Sequence, residues 1–333
     1  MTLVDWHAHM LSDRLAPPSG AEGAWPGIRT AGGALELTLG GRPYRPVDAR
    51  TFDPEPRLVD MDARGVAVQV LSPPPYAVAF DGPAAEFASL AEQQNAFLGE
   101  ITSACPERFA MLGMLPYGEP ARVTAEIERL EKLPGVRGVC LTAHRDDPVT
   151  DAAHEELWAR FATNGWVVFV HPADTAMCAE DTATGAVFGL GMPLATARTA
   201  TALVLSGMLA AVPRTRVLLA HAGGAFPATV DRLTRGWQLG MHPALAESPL
   251  ATVRRSFWAD ALAYAPAPLH LAGAVFGADR LVYGSDYPFA AELRPAELES
   301  LHGDADLLAR LTANGERLRA PGAGTGARSP EQP

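Results

Sequence analysis

Eight short apolar runs recur along this chain, each separated from the next by a stretch with helical periodicity, and that alternation limits the fold more than any other feature. The runs are residues 3–9, 66–71, 109–115, 138–142, 166–170, 217–220, 257–260 and 281–284. Helix-patterned segments occupy 56–65, 83–105, 120–132, 152–164, 195–212, 227–236 and 267–276, with a last one at 304–319. Short apolar runs bounded by turn signals read as buried strands. Eight of them alternating with helices, with no topological break, specify an α/β fold, a closed (β/α)8 TIM barrel. With 333 residues and 48% hydrophobic content, the chain can bury a core of that size in one domain. Segment 11–50 is rich in Gly and Pro and alternates from Ala34 to Leu39 before Gly40-Gly41, so it reads as a small β-hairpin cap inserted after strand 1. Residues 1–319 then form the barrel with its insertion. Residues 320–333, mostly Gly, Ala, Pro, Ser and Gln, read as a disordered tail.

Barrel geometry gives meaning to the residues that end the strands. In an extended strand, residues two apart face the same side, so His7 and His9 can aim both imidazoles at one point. His171 closes the fifth strand, His221 the sixth and Asp286 the eighth. The carboxyl ends of all strands open on one face of such a barrel, so these five residues meet there. Three histidines and a carboxylate suit zinc or a similar divalent ion with a position left for water.

Charge and cysteine content bound the partners. The net charge of -11 argues against nucleic acid or an anionic membrane surface, and no run approaches the roughly 20 apolar residues of a membrane span. Three widely spaced cysteines, Cys105, Cys140 and Cys178, imply no disulfide framework, and with no signal segment the expected compartment is the cytoplasm. Cys178 reads as a structural thiol in the loop after strand five.

The motifs Asp5-Trp6-His7-Ala8-His9, His171-Pro172, His221-Ala222-Gly223-Gly224 and Gly284-Ser285-Asp286-Tyr287-Pro288 resemble the amidohydrolase superfamily. The nearer resemblance is to its decarboxylase branch, that of aminocarboxymuconate-semialdehyde decarboxylase and the related resorcylate decarboxylases. It extends over Asp53-Pro54-Glu55, residues 61–66 and 68–72, Gly191-Met192-Pro193, Ala225-Phe226-Pro227 and Tyr287-Pro288-Phe289, spanning residues 2 to 318. Carried over by position, it implies His7, His9, His171 and Asp286 as metal ligands and His221 as the acid/base beside a metal-bound water, with Asp286 also the proton donor. Two-metal amidohydrolases use a carbamylated lysine as a bridge. The single lysine here, Lys132, lies in the helical run Glu131-Lys132-Leu133, so one divalent metal is expected, zinc first and manganese as the alternative.

The activity implied is non-oxidative decarboxylation of an unsaturated or aromatic carboxylic acid. The alternative is a hydrolase or hydratase acting on a lactone, amide or carbon–carbon bond with the same site. A planar guanidinium fork matches a substrate carboxylate. By resemblance, Arg232 reaches into the neighbouring subunit of a homodimer, and Arg50, with Arg45 as its rival, grips substrate. Phe188 and Phe289 are expected to wall the pocket. Ala173 stands where the semialdehyde decarboxylase would carry a bulkier aromatic. His144 is expected to line the mouth without binding metal, and His154, His242, His270 and His302 to occupy surface or helix positions.

Overall fold

The computed structural model of the protein describes residues 2–117, 119–143 and 155–320. Among these residues are eleven strands: β1 (Val4–His9), β2 (Pro26–Ala31), β3 (Ala34–Leu39), β4 (Arg42–Val47), β5 (Val68–Ser72), β6 (Phe109–Met114), β7 (Val136–Thr142), β8 (Val167–His171), β9 (Arg216–Leu219), β10 (Phe257–Asp260) and β11 (Leu281–Val282). Eight of them form one parallel sheet in the order β1-β5-β6-β7-β8-β9-β10-β11. The sheet closes on itself where Trp6 N donates to Tyr283 O (2.9 Å), Asp286 N to His7 O (2.8 Å) and His9 N to Tyr287 O (2.7 Å). This is the expected (β/α)8 barrel.

The helices are α1 (Pro54–Arg64), α2 (Pro75–Val78), α3 (Ala84–Ala104), α4 (Pro120–Leu130), α5 (Glu155–Thr163), α6 (Ala179–Ala183), α7 (Met192–Leu205), α8 (Met208–Ala211), α9 (Val230–Gln238), α10 (Pro249–Ser256), α11 (Pro266–Phe276), α12 (Pro295–His302) and α13 (Leu307–Arg319). Local chemistry explains their limits. Asp53 caps α1 by accepting from Glu55 N, and Gly65 ends it in a left-handed turn at φ 69°. The single helix expected over 195–212 is broken into α7 and α8 at Gly207, whose φ is 75°. Among the described residues, α2, α6, α10 and α12 are too short, at four to eight residues, for a helical period to stand out in sequence.

Neighbouring residues of one strand enter different apolar clusters, as period-two geometry requires. Val167, Phe169, Leu218 and Ala220 belong to a cluster that reaches His7 through the Phe169 ring at 5.0 Å. Val168, Val170, Val217 and Leu219 join helix residues such as Leu203, Val253, Phe276 and Leu311. One helical stretch, Val187–Leu205, is 19 residues long and by length and composition apolar enough to cross a membrane, against the expectation that no such run exists. Packing accounts for it: within α7, Ala197, Ala200, Leu203 and Val204 are buried against the barrel.

The insertion after β1 is a three-stranded antiparallel sheet, β2-β3-β4, and so one strand larger than the expected hairpin. Both of its turns are two-glycine turns, Gly32-Gly33 (φ 58° and 85°) and Gly40-Gly41 (φ 55° and 74°), the left-handed conformations that tight hairpins need. The extra strand is not legible in the sequence because prolines and arginines interrupt the alternation of β2 and β4.

At Gly138 (φ 154°) β7 runs so close to β8 that a Cβ would lie 1.8 Å from the Val167 carbonyl oxygen. Gly138→Ala is expected to lower the unfolding free energy by roughly 3 kcal/mol or more, read from the urea midpoint. Gly33→Ala, at φ 85° with nothing within 4 Å, should cost only about 1 kcal/mol. Equal midpoints for the two variants would contradict this packing limit.

Candidate metal centre and active site

His7 and His9 end β1, His171 ends β8, and Asp286 follows β11. All four are buried, and their ligand atoms lie within 4.8 Å of one another. His7 Nε2 and His9 Nε2 are 3.1 Å apart, and Asp286 Oδ1 is 3.2 Å from each. The His171 ring stands 4.8 Å from that of His7 and 4.9 Å from that of His9.

Each imidazole is held from behind through Nδ1, which leaves Nε2 facing the cluster. His7 Nδ1 donates to Asp260 Oδ2 (2.7 Å), His9 Nδ1 to Ser72 Oγ (2.9 Å), and His171 Nδ1 to the Pro172 carbonyl (2.6 Å). In contrast, His171 Nε2 and Asp286 Oδ1 are buried with no hydrogen-bond partner. An unpartnered buried polar atom costs about 1–3 kcal/mol, a penalty that a cation between them would remove. Neutral imidazoles and a carboxylate converging with their lone pairs inward are a donor set that fits one divalent ion.

Burial and the charges inside the cluster act on these groups in opposite directions. Burial pushes His9 down to about 4, and burial together with the neighbouring His7 charge pushes His171 well below its ordinary value. Burial also disfavours charge on His7, but Asp286 and Asp260 overcome it and raise its pKa. Asp286 resists burial in the same way, held well below the usual carboxylate range by the neighbouring histidines, His7 first among them.

His221 is partly exposed and stands apart from the four, its Nε2 3.8 Å from Asp286 Oδ2 and its ring 4.9 Å from that of His171. It opens a turn with φ 56° at His221 and 54° at Ala222. With Asp286 at φ 63°, these are the non-glycine residues of positive φ among the described residues, and all three are at the site. Such conformations cost roughly 1 kcal/mol or more each and persist only where surrounding contacts enforce them.

Two cavities flank the cluster. One, of about 550 Å³, is lined by His9, Arg45, Arg50, Tyr76 and Phe289 among others, with the Phe289 ring 5.1 Å from that of His9. Arg45 is tied to Asp174 (2.6 Å) and to the Tyr44 hydroxyl (2.6 Å), whereas Arg50 pairs with the exposed Asp48 (2.6 Å). Phe188 is 58% exposed and lines the other cavity, about 320 Å³, with His221, Met192, Leu262 and Tyr264. Arg232 is exposed on α9 and lines neither cavity. Cys105, Cys140 and Cys178 are free thiols, and Cys178 donates to Asp181. Lys132 is exposed just beyond α4 and takes no part in the cluster. His144 and His154 lie outside the described residues.

Sequence reasoning passed over Asp260. It ends an apolar strand, the same signal that singled out Asp286, and was missed because no motif surrounds it. Asp5 was missed as a frame: its carboxylate accepts from His7 N (3.1 Å), Ser285 N (3.0 Å) and the Ser285 hydroxyl (2.6 Å), tying both ligand segments together. Tyr76 had no sequence signal.

A parallel barrel with three imidazoles and a carboxylate converging at its mouth is the architecture of a metal-dependent barrel enzyme. The chain belongs to the amidohydrolase family, whose sequence model matches residues 4–315. It is 24% identical over 316 residues to a 2-amino-3-carboxymuconate-6-semialdehyde decarboxylase of Dictyostelium discoideum, covering 89% of this chain and 84% of that one. Its fold is similar to that of 5-carboxyvanillate decarboxylase LigW from Sphingomonas paucimobilis, with a TM-score of 0.68 and 25% identity over 81% of this chain and 84% of that one. A dihydroxybenzoic acid decarboxylase from Polaromonas, solved with bound manganese and 2-nitroresorcinol, superposes with a TM-score of 0.71 at 20% identity, covering 81% of this chain and 87% of that one.

Elemental analysis of protein purified without added metal should find about one divalent ion per chain, and His171→Ala should retain less than roughly a tenth of it. Two ions per chain, or full retention in His171→Ala, would overturn the ligand set.

Proposed function

We propose that the protein is a metal-dependent non-oxidative decarboxylase of an aromatic or unsaturated carboxylic acid. The observation that carries this reading is the four-residue ligand cluster facing a cavity that carries two arginines and the ring of Phe289. The relatives named decarboxylases support it. An ion held by His7, His9, His171 and Asp286 would supply positive charge that polarises a substrate oxygen. Zinc is proposed first for a three-nitrogen, one-oxygen donor set, and manganese is the alternative because the Polaromonas structure holds it.

The remaining chemistry belongs to the chain. Arg50 is the better substrate grip, since its partner Asp48 is exposed while Arg45 is committed to Asp174. Phe289 and Tyr76 bound the plane of an unsaturated substrate in the larger cavity, and Phe188 borders the smaller one beside His221. When the bond to the carboxyl carbon breaks, its electron pair stays on the substrate carbon and CO2 leaves. That carbon then needs a proton. Asp286, once protonated from His221 3.8 Å away, delivers it, and His221 takes the replacement proton from water.

The active unit is proposed to be a homodimer in which Arg232, exposed on α9, completes the partner's site. Three free thiols are consistent with the cytoplasm as its compartment. The net charge of -11 supports a small acid, and not nucleic acid or a membrane, as its partner.

Carboxyl-labelled hydroxybenzoic acids and unsaturated amino dicarboxylic acids should release labelled CO2 with no oxygen from ¹⁸O-water in the organic product. Oxygen uptake without CO2 would instead identify a hydrolase or hydratase. His221→Ala should lower kcat roughly 100-fold or more while metal content stays near one ion per chain, the mark of a lost acid/base. Arg232 can be tested by refolding inactive His221→Ala and Arg232→Ala chains together. Random mixing makes half the dimers mixed, each with one intact site if the arginine acts across the interface, so about a quarter of wild-type activity should return. No return, with mixed dimers verified by mass, would assign Arg232 to its own chain or to no role.

A further inference from the structure

Asp260 is the last residue of β10, fully buried, and four donors surround its carboxylate. Oδ2 accepts from His7 Nδ1 (2.7 Å) and from His221 N (3.0 Å). Oδ1 accepts from Ala222 N (3.0 Å) and Leu262 N (3.0 Å). Four lone-pair sites are what an ionised carboxylate offers, so this group is filled. The behind-ring partners of His9 and His171 are a hydroxyl and backbone carbonyls, so His7 alone of the three is backed by a carboxylate. Two of the other donors are the amides of the left-handed turn that begins at His221. Gly284 allows the close fit, because a Cβ there would come within 2.7 Å of His7 Cβ and 2.8 Å of Asp260 Cβ.

We propose that Asp260 is the positioning residue that links the two halves of the site: one carboxylate sets the tautomer that turns His7 Nε2 toward the ligand cluster and holds the turn that presents His221. The inference rests on the metal-site reading. An amide cannot replace this carboxylate, since it has one oxygen and its NH2 must face either His7 Nδ1 or the turn amides. If it faces His7, the ring must accept at Nδ1, and its proton moves to Nε2, where a ligand lone pair is required.

Asp260→Asn tests both arms. Its affinity for Zn²⁺, measured by chelator competition, should fall about 10- to 100-fold. The visible spectrum of its Co²⁺-loaded form should differ from that of wild type because His7 no longer coordinates. Both readings need no substrate, so they stand apart from any failure of the decarboxylase assignment. With metal saturating, kcat should fall at least about tenfold while KM changes less than about twofold. The part of this loss that runs through His221 should vanish in its absence, so the losses in Asp260→Asn/His221→Ala should be less than additive. If Asp260→Asn does not fold, wild-type protein loaded with Zn²⁺ and ¹⁵N-imidazole histidine carries the test: His7 should appear as the Nδ1–H tautomer. An Nε2–H signal for His7, an unchanged affinity and cobalt spectrum in Asp260→Asn, or additive losses in the double variant would each overturn the proposal.

Discussion

Closure of the parallel sheet between β1 and the segment after β11 is the constraint on which the rest depends. Backbone bonds from Trp6, His9 and Asp286 join the first strand to the last across nearly the whole length of the chain. The Asp5 carboxylate reinforces the seam by binding His7 N on one side and both polar groups of Ser285 on the other. Asp286 is the next residue. Its placement 3.2 Å from both imidazoles of β1 is therefore a product of barrel closure, and an open sheet would leave the two ligand segments far apart.

The cost of the site is concentrated in a few buried polar atoms. Outward-facing imidazole nitrogens are satisfied by Asp260, Ser72 and the Pro172 carbonyl, while the inward-facing His171 Nε2 and Asp286 Oδ1 are not. A protein interior tolerates orphaned polar atoms poorly, so their convergence with three left-handed non-glycine residues marks where stability has been given up for chemistry. His221, turned toward Asp286 but outside the ligand group, lines the cavity beside Tyr264, while His9 lines the one under the cap.

The cap joins that arrangement through side chains. Arg45 of β4 meets Asp174, three residues beyond His171, and lies over the rings of Tyr44, Tyr76 and Phe289. Sequence reasoning treats Arg45 and Arg50 as rivals for one role. In the structure they differ in what holds them: Arg45 closes the cap against the barrel through Asp174, and Arg50 pairs with the exposed Asp48 at 2.6 Å and with Asp60 at 3.6 Å.

The barrel and the five strand-end residues were legible in the sequence because both are local patterns: short apolar runs report burial, and a polar residue that ends such a run reports the barrel mouth. His7, His9, His171, His221 and Asp286 all stand where those runs end. What no local pattern carries is direction. That His221 stands outside the ligand group while His171 joins it depends on a left-handed turn held by Asp260, 39 residues away. That Phe289 and Phe188 line different cavities depends on which loops fold together. The third cap strand and the break at Gly207 were hidden for the same reason, since propensity is a weak signal that pairing and packing override. The sequence by itself determined the fold and the chemical types gathered at its mouth; only the tertiary structure decided which atoms face the centre, because hydrogen bonds from distant strands set each ring's orientation.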